Sequence, residues 1–365
     1  MTKKITYAQV GDNYYTKDPT KKLAQTAAIR TGKNLNKSGY PEITDTRGES
    51  AFVWRQGKIL MAAVVEGLGT KNLVADGMQN GKAYYKVIGY DTVASIVNDL
   101  VSVGAKPLTV FAYWAIEDNA WLQDKQRMTS LIGGWEAACN DAGATWGGGE
   151  TATLKGIVIK DTVDLGGSAV GIIENPKNLI TDKKLKAGDR IILVKSNGIN
   201  ANGLSLARAV AKKLPKGYAT KVSNNSNYGE AILTPTNIYA QVIQDLQNAG
   251  IDIHYISNIT GHGVRKVMRA RPNFTYIVEK IFNPQEVFLF IQKHANLDDL
   301  EMYQTYNMGQ DYAIFVSPKD AAKAQAIIKK CKFQSLDAGY VEKGPRQVII
   351  KPRNLTYKGE TLDLR

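Results

Sequence analysis

The 365-residue chain has few residues of the kinds that build disulfide frameworks, zinc sites or membrane spans. It holds two cysteines and three histidines, and Cys139 and Cys331 form no CxxC pair and have no histidine nearby in sequence. We therefore expect neither a disulfide framework nor a zinc site. No stretch of about 18 apolar residues is free of charge, and the first residues lack the apolar core of a signal peptide. These absences predict a cytoplasmic protein without a membrane span.

The residues that are present give an ordinary globular composition with a strong positive balance. Hydrophobic residues make up 44% and charged residues 22%, and the length is enough for two cores. Strand-type and helix-type segments alternate, which predicts an α/β or α+β protein. The polar stretch 177–189 is the predicted linker, so we divide the chain into domains at 1–175 and 176–365. The net charge of +13 indicates either an anionic ligand or a lysine-rich surface.

Hydrophobic periodicity places the main elements of the first half. Residues 89–101 carry a helical stripe of apolar side chains, which leaves Asp91 and Asn98, seven positions apart, on another shared face. The other predicted elements are strands at 59–65, 107–115 and 162–173, a helix at 130–142, and a short strand at 144–146 that runs into a glycine turn. In the second half we predict a strand at 190–195 and a helix at 204–213.

Three segments of the first half, residues 66–71, 89–100 and 147–151, combine glycine with carboxylate, amide or lysine side chains. Glycine lets the backbone approach a phosphate, Lys71 can reach a phosphate as a point charge, and Mg²⁺ prefers carboxylates supplied by separate loops. Taken singly, Lys71 could be an exposed turn lysine and Asp91 a helix N-cap. Taken together, the segments predict a site for magnesium and a polyphosphate. The predicted metal ligands are Glu66, Asp91, Asp99 and Glu150.

Two small-residue turns in the second half have the form of phosphate-binding loops. The loop 196–203 lies between a predicted strand and a predicted helix, whose N-terminus would present free N–H groups to an anion. The turn 258–263 contains His262, which we interpret either as a structural residue or as a ligand of substrate. A dense basic run, 265–271, follows this turn.

These motifs, in chain order, resemble the phosphoribosylformylglycinamidine cyclo-ligase (AIR synthetase) family of purine biosynthesis. The resemblance is collinear from about Tyr7 to Ile350. It rests on the segments 5–12, 66–71, 89–100, 148–152, 196–206, 233–239, 259–261 and 301–307.

The resemblance implies a fold, a reaction and a set of site residues. The fold would have an N-terminal sheet domain that dimerises into a barrel-like core, and a C-terminal α/β domain. ATP with Mg²⁺ would activate the formyl amide oxygen of formylglycinamidine ribonucleotide, and an amidine nitrogen would then close the imidazole ring. The implied catalytic residues are Lys71, Asp99, His262 and Asn200. The implied ATP-binding residues are Gly67, Gly69, Thr70, Lys71, Asp91, Asn98, Gly148, Gly149, Glu150 and Thr151, and the implied substrate-binding residues are Asn200, Asn202, Gly203, Thr260 and Gly261.

The chain departs from the family pattern mostly where substrate is expected. Glu66 replaces the usual aspartate, Asn200 stands at a histidine position, and His262 interrupts a glycine triplet. The segment 306–312 also differs from the family's Phe-Asn-Cys-Gly-Val-Gly-Met. The first alternative is therefore another ATP-dependent kinase or ligase of the same superfamily with a different acceptor. The second is a non-catalytic nucleotide- or nucleic-acid-binding protein, which would need an exposed basic face.

Overall fold

The computed structural model describes residues 4–6, 9, 14–224 and 226–362. The segment 5–12 noted above lies mostly outside these described residues. Two β-sheets divide the described chain, one within residues 52–173 and the other within 190–358. The predicted α/β class is confirmed.

The first sheet has five strands in the order β1-β2-β5-β3-β4. Its strands are β1 (Phe52–Gln56), β2 (Ile59–Gly67), β3 (Lys106–Ile116), β4 (Thr145–Thr153) and β5 (Val163–Ile173). The helices of this half are α1 (Tyr14–Lys37), α2 (Asn72–Asp76), α3 (Tyr85–Val101) and α4 (Lys125–Ala142). Helix α3 packs between α4 and strands β2 and β5, and this explains why it is apolar on most of its surface.

The second sheet has seven strands in the order β12-β11-β8-β10-β6-β9-β7. The strands are β6 (Arg190–Lys195), β7 (Ile253–Asn258), β8 (Phe274–Val278), β9 (Gln310–Val316), β10 (Ser335–Lys343), β11 (Gln347–Ile350) and β12 (Leu355–Lys358). The helices are α5 (Leu204–Ala211), α6 (Tyr228–Ile232), α7 (Ala240–Asn248), α8 (Glu286–Ala295), α9 (Asp299–Thr305) and α10 (Ala321–Lys330). Strand β9 is buried along its whole length, so the core of this half lies around it.

One local expectation was wrong. The glycine run 147–149 is not a turn, because it continues as part of β4, paired in parallel with β3. The alternative interpretation of Asp91 as a helix N-cap does not apply, because α3 begins six residues earlier at Tyr85 and Asp91 lies inside it. The predicted strand at 59–65 is confirmed within β2. The predicted helices at 89–101 and 130–142 are also confirmed, but they begin earlier, at Tyr85 and Lys125. The second ends at Gly143 in the left-handed conformation (φ 65°).

Helix α1 is the longest helix, and it is polar rather than apolar around its circumference. Among the described helices none combines the length and the apolar character needed to cross a bilayer. The 3₁₀ helix Pro176–Asn178 lies at the start of the predicted linker, and a second one, Asp182–Lys184, lies within it.

Candidate active-site cleft between the two sheet domains

A cleft of about 460 Å³ opens between the two halves and is lined by side chains of both. From the first half it takes Glu66 and Gly67 at the end of β2, and Asp99 near the end of α3. From the second half it takes the turn that contains Thr260, Gly261 and His262, together with Asn202, Lys266 and Arg269. Helix α1 contributes Lys21 and Gln25. The cleft therefore joins predicted site residues from both halves of the chain.

Strand geometry explains why Glu66 points toward Asp99. Side chains alternate along β2, so Glu66 faces the same side as the buried Ala62 and Val64, against which α3 packs. Asp99 is held by Asn258, whose Nδ2 donates to its Oδ1 at 2.8 Å. The surrounding protein, and then the negative charge of Asp99, raise the pKa of Glu66 to about 7 although its carboxyl group remains open to the cleft.

This pair of carboxyl groups is a suitable donor set for Mg²⁺, which binds through one or two carboxylates and keeps phosphate oxygens and water as its other ligands. A closed protein cage is not formed, since the described residues contain no group of three or more acidic, histidine or cysteine side chains placed to hold a metal ion. The predicted four-carboxylate set is thus reduced within one chain to Glu66 and Asp99. Asp91 and Glu150 lie elsewhere.

Asp91, Lys71 and Asn98 connect the two domains. The ammonium of Lys71 forms an ion pair with Asp91, and both side chains are 0% exposed. Lys71 Nζ also donates to the backbone oxygen of Thr234 at 3.1 Å, and Asp91 Oδ1 accepts from the backbone N–H of Thr236 at 2.8 Å. The expected shared face of Asp91 and Asn98 is confirmed, and it contacts the second domain.

Asn98 completes this contact about two turns further along α3. Its Nδ2 donates to the backbone oxygen of Asn237 at 2.7 Å, and its Oδ1 accepts from the N–H of Tyr239 at 3.0 Å. We call Lys71, Asp91 and Asn98 the interdomain anchor. Since Lys71 is fully buried in this anchor, its ammonium is not directed at a ligand in the cleft.

The segment Gly148–Thr151 lies away from the cleft. Gly148, Gly149, Glu150 and Thr151 are exposed on β4, an edge strand. Glu150 pairs with Tyr113, and the same row continues through Gly166 to Gly67. Three steps across a sheet amount to roughly 14 Å. One chain alone therefore does not bring Glu150 to Glu66. Of the other predicted ATP-binding residues, Gly69 is exposed and Thr70 half-buried.

Asn200 lies beneath the cleft surface rather than on it. It is 5% exposed, and its Nδ2 donates to Asp311, whose other oxygen accepts from the hydroxyl of Tyr239 at 2.6 Å. Burial raises the pKa of Asp311 to about 7, and the two hydrogen bonds oppose that rise. Two departures from the family pattern, at Asn200 and at Asp311, thus contact each other directly.

The turns of the second half have the local geometry that their small residues predict. Gly203 has φ 73° and lies under the ring of Tyr306, whose hydroxyl donates to its backbone oxygen at 2.9 Å. His262 has φ 70° and is 4% exposed, with Nε2 3.4 Å from Asp18 Oδ2. Burial, followed by the charges of Lys266 and Arg265, lowers the pKa of His262 to about 2. The imidazole is therefore neutral, which favours positioning of a ligand over proton donation.

Sequence reasoning missed Lys266, Arg269 and Asp311. The basic run 265–271 received no role in the predicted site, and a nucleic-acid-binding role would need it to be exposed, yet Arg265 and Lys266 are each 8% exposed. Arg271 forms a double contact with Asp182, at 2.8 and 2.7 Å. The run is therefore largely built into the second domain. Its position directly after the Thr260–Gly263 turn was the signal that could have placed it at the site.

The fold and the cleft together define the class: a two-domain α/β protein in which acidic and basic side chains face each other between the domains. Residues 48–173 match the model of the AIR synthase related protein, N-terminal domain, and residues 186–351 match that of its C-terminal domain. The chain belongs to the AIR synthase related family. The predicted division at 175/176 falls between the two matched regions.

Curated relatives align along most of the chain. The phosphoribosylformylglycinamidine cyclo-ligase of Methanococcoides burtonii is 32% identical, over 88% of this chain and 92% of the relative. The enzyme of the same name from Methanocaldococcus jannaschii is 33% identical, over 75% of this chain and 76% of its own. The family resemblance inferred from the motifs is confirmed.

Solved structures agree with the fold at lower identity. The HypE–HypF complex matches with a TM-score of 0.61 and 19% identity, covering 85% of this chain and 92% of that chain. HypE in complex with ATP matches with a TM-score of 0.58 and 15% identity, covering 80% and 82%. PurL of T. maritima complexed with FGAR matches with a TM-score of 0.59 and 15% identity, covering 91% of this chain and 50% of that one. The expected AIR synthetase-like fold is confirmed.

Proposed function

We propose that this protein is an ATP-dependent cyclo-ligase that converts formylglycinamidine ribonucleotide to aminoimidazole ribonucleotide, with release of ADP and phosphate. The observation that carries the proposal is the similarity, at about one-third identity over 75% to 88% of the chain, to relatives named phosphoribosylformylglycinamidine cyclo-ligase. The ATP and FGAR complexes of HypE and PurL, which share the fold, support a nucleotide and a ribonucleotide as ligands. A cytoplasmic location stays a prediction.

The chemistry requires activation of a poor leaving group. An amide oxygen leaves readily only once it carries a phosphoryl group, after which the amidine nitrogen attacks the carbon and phosphate departs. Glu66 and Asp99 would hold Mg²⁺, which supplies charge neutralisation for the transferred phosphoryl group. Thr260, Gly261 and Asn202 line the facing wall and would hold the phosphoribosyl substrate. Rate enhancement would come mainly from positioning and from fixed charge.

Three residues that the motifs predicted to be catalytic, Lys71, Asn200 and His262, receive different roles. We propose that Lys71 acts by fixing the two domains, and that Asn200 acts by holding the loop that carries Ala201 and Asn202 into the cleft. Neutral His262 would position substrate. Asp99 would then be the main residue placed next to the reacting atoms, where it and Glu66 would hold Mg²⁺.

We further propose a homodimer formed through the outer face of the first sheet. The side of this sheet opposite α3 and α4 exposes the large apolar side chains Val65, Leu108, Phe111 and Tyr113, with Val65 78% exposed. An apolar sheet face of this kind marks an interaction surface. Because β4 is at the edge of the same sheet, dimerisation is the event that would bring Gly148–Thr151 near a cleft.

The experiment is a coupled measurement of both products. With Mg²⁺, ATP and formylglycinamidine ribonucleotide, we expect ADP and aminoimidazole ribonucleotide in equal amounts by chromatography and mass spectrometry. Asp99→Asn is expected to abolish both signals while the circular dichroism spectrum is retained. Formation of ADP without the aminoimidazole product, or no ADP at all, contradicts the proposal.

The departures at Asn200, His262 and Asp311 favour one second candidate, which is the same ATP chemistry on a different acceptor. In that case ADP release would depend on an acceptor other than formylglycinamidine ribonucleotide. Assaying ADP against a panel of amides, amidines and phosphate-accepting alcohols distinguishes the two functions.

A further inference from the structure

One basic side chain of the cleft, Lys266, has no role in the reaction as described so far. It lies on the 3₁₀ helix Gly263–Met268, directly after the turn that lines the cleft. The residue is 8% exposed, and its ammonium donates to the hydroxyl of Thr260. An ammonium has three donors, so the contact with Thr260 leaves two that can turn toward a ligand.

Lys21 of α1 is exposed to solvent at the cleft. Three other cations near the cleft already give hydrogen bonds to the protein. Lys71 bonds Asp91 and the backbone oxygen of Thr234 in the interdomain anchor. Arg265 donates to the backbone oxygens of His262, Gln304 and Thr361. Arg269 donates to Ser50 Oγ at 2.9 Å and to the backbone oxygen of Gly48 at 3.0 Å. These contacts fix the walls of the cleft rather than reaching into it.

Lys266 also faces the acid pair across the domain boundary. Lys266, Asp99 and Glu66 line the same cleft. Burial, and then the charge of Arg269, lower the pKa of Lys266 to about 8, and the negative charges of Asp99 and Glu66 oppose that fall. If a divalent cation neutralised the two carboxylates, Lys266 would have no negative charge opposite it. Its ammonium would then be a largely buried, uncompensated positive charge. An anion held there gains more from a charge-assisted hydrogen bond than it would at the surface.

We propose that Lys266 binds a phosphoryl group of the ligand in the cleft, the task that the sequence assigned to Lys71. This assignment rests on the proposed function only in naming the two phosphoryl sources, which are the triphosphate of ATP and the 5-phosphate of the ribonucleotide substrate. The assignment itself rests on geometry. Lys71 is buried between the domains, whereas Lys266 lines the cleft beside Thr260 and opposite Glu66 and Asp99.

The test measures binding by isothermal titration calorimetry and needs no turnover. The two probes are a non-hydrolysable ATP analogue with Mg²⁺, and ribose 5-phosphate. Lys266→Met removes the charge at similar length, Lys266→Arg keeps the charge, and Lys319→Met is the matched control at an exposed lysine outside the cleft lining. Circular dichroism and thermal melting report folding, and Lys266→Gln replaces the methionine variant if that one does not fold.

We expect Lys266→Met to bind at least one probe about ten- to a hundred-fold more weakly, the effect of losing a charge-assisted hydrogen bond. Lys266→Arg should recover most of the affinity, and Lys319→Met should match wild type. The probe that weakens identifies which phosphoryl group Lys266 binds. Wild-type affinity of Lys266→Met for both probes, or no binding of either probe to wild type, overturns the inference.

The two proposals fail separately. If wild type cyclises formylglycinamidine ribonucleotide while Lys266→Met binds both probes normally, only the role of Lys266 is lost. If wild type forms no aminoimidazole product while phosphoryl binding depends on Lys266, the cyclo-ligase assignment is lost and Lys266 keeps its role.

Discussion

Asp311 lies in the interior of the second domain with its carboxyl group between Asn200 and Tyr239. Its pKa, raised by burial from 3.8 to about 7, makes it a source of pH-dependent stability. An acid with a higher pKa in the folded than in the unfolded state holds its proton more tightly when folded. The free energy of unfolding therefore falls as the pH rises from about 4 to about 7 through this group.

Asp311→Asn should remove that pH dependence. The new amide can still accept from Tyr239, and it can donate to Asn200 Oδ1, which has no hydrogen-bond partner among the described residues. We expect the variant to gain about 1 kcal/mol or more relative to wild type on going from about pH 5 to about pH 8, measured by urea unfolding. Glu174→Gln, at an exposed carboxylate, serves as the control. If the free energies of unfolding of wild type and Asp311→Asn changed with pH by the same amount, Asp311 would not be the source of the pH dependence.

The sequence alone could place some of the polar residues at the cleft but not others. Glu66 and Asp99 could be placed at the site because their motifs locate them at the end of a strand and near the end of a helix. Lys71 and Asp91 carry the same polar signature, yet they pair with each other and with the second domain. A lysine and a carboxylate that await a ligand look identical in sequence to a pair that joins two domains. Only the tertiary structure separates them.

At the scale of elements, the start of α5 depends on Gly203. Its φ of 73° is in the left-handed region, and a Cβ there would lie 2.1 Å from the ring of Tyr306. Gly250 has nearly the same φ, 74°, with nothing within 4 Å of the same position. The two glycines therefore separate backbone strain from overpacking.

Gly250→Ala should cost about 1–2 kcal/mol from strain alone. Gly203→Ala should cost about 1–3 kcal/mol more, because Tyr306 must move and its hydrogen bond to Gly203 is disturbed. Thermal unfolding of both variants, and of Gly203→Ala combined with Tyr306→Leu, measures the difference. Equal losses for the two single variants would show that the ring contact is not limiting.

Elements were predicted well where periodicity is local, and less well where glycine is ambiguous. The stripe on α3 and the alternation on β2 follow from the spacing of their own residues. Gly147, Gly148 and Gly149 indicated a turn, but they form part of a strand. There, β3 passes close to the glycine backbone, and a Cβ on Gly149 would lie 2.2 Å from the oxygen of Ala112. Close approach to a neighbouring strand requires the same residue as a turn does.

At the scale of the whole molecule, the outer face of the first sheet predicts the assembly state. Phe111→Asp and Val65→Asp each place a charge at the centre of the apolar face, and burial of an unpaired charge in an interface is unfavourable. We expect wild type to be a dimer by light scattering and each variant to shift toward monomer. The control Ile159→Asp changes an isoleucine of similar exposure, 72%, outside this face. A monomeric wild type, or dimeric variants, would contradict the proposed dimer.

The interdomain anchor has a consequence for how this chain can diverge. On the second domain, each of the four anchor contacts is a backbone group: Thr234 O, Thr236 N, Asn237 O and Tyr239 N. These four contacts therefore depend on the backbone conformation of residues 234–239 and not on their side chains. The side chains that form the contacts all belong to the first domain. Side chains in the segment 234–239 can therefore change without removing these four contacts, while Asn258 and Arg269 add side-chain contacts from other parts of the second domain. At this segment, the hold between the domains is inherited through three residues of the first domain alone.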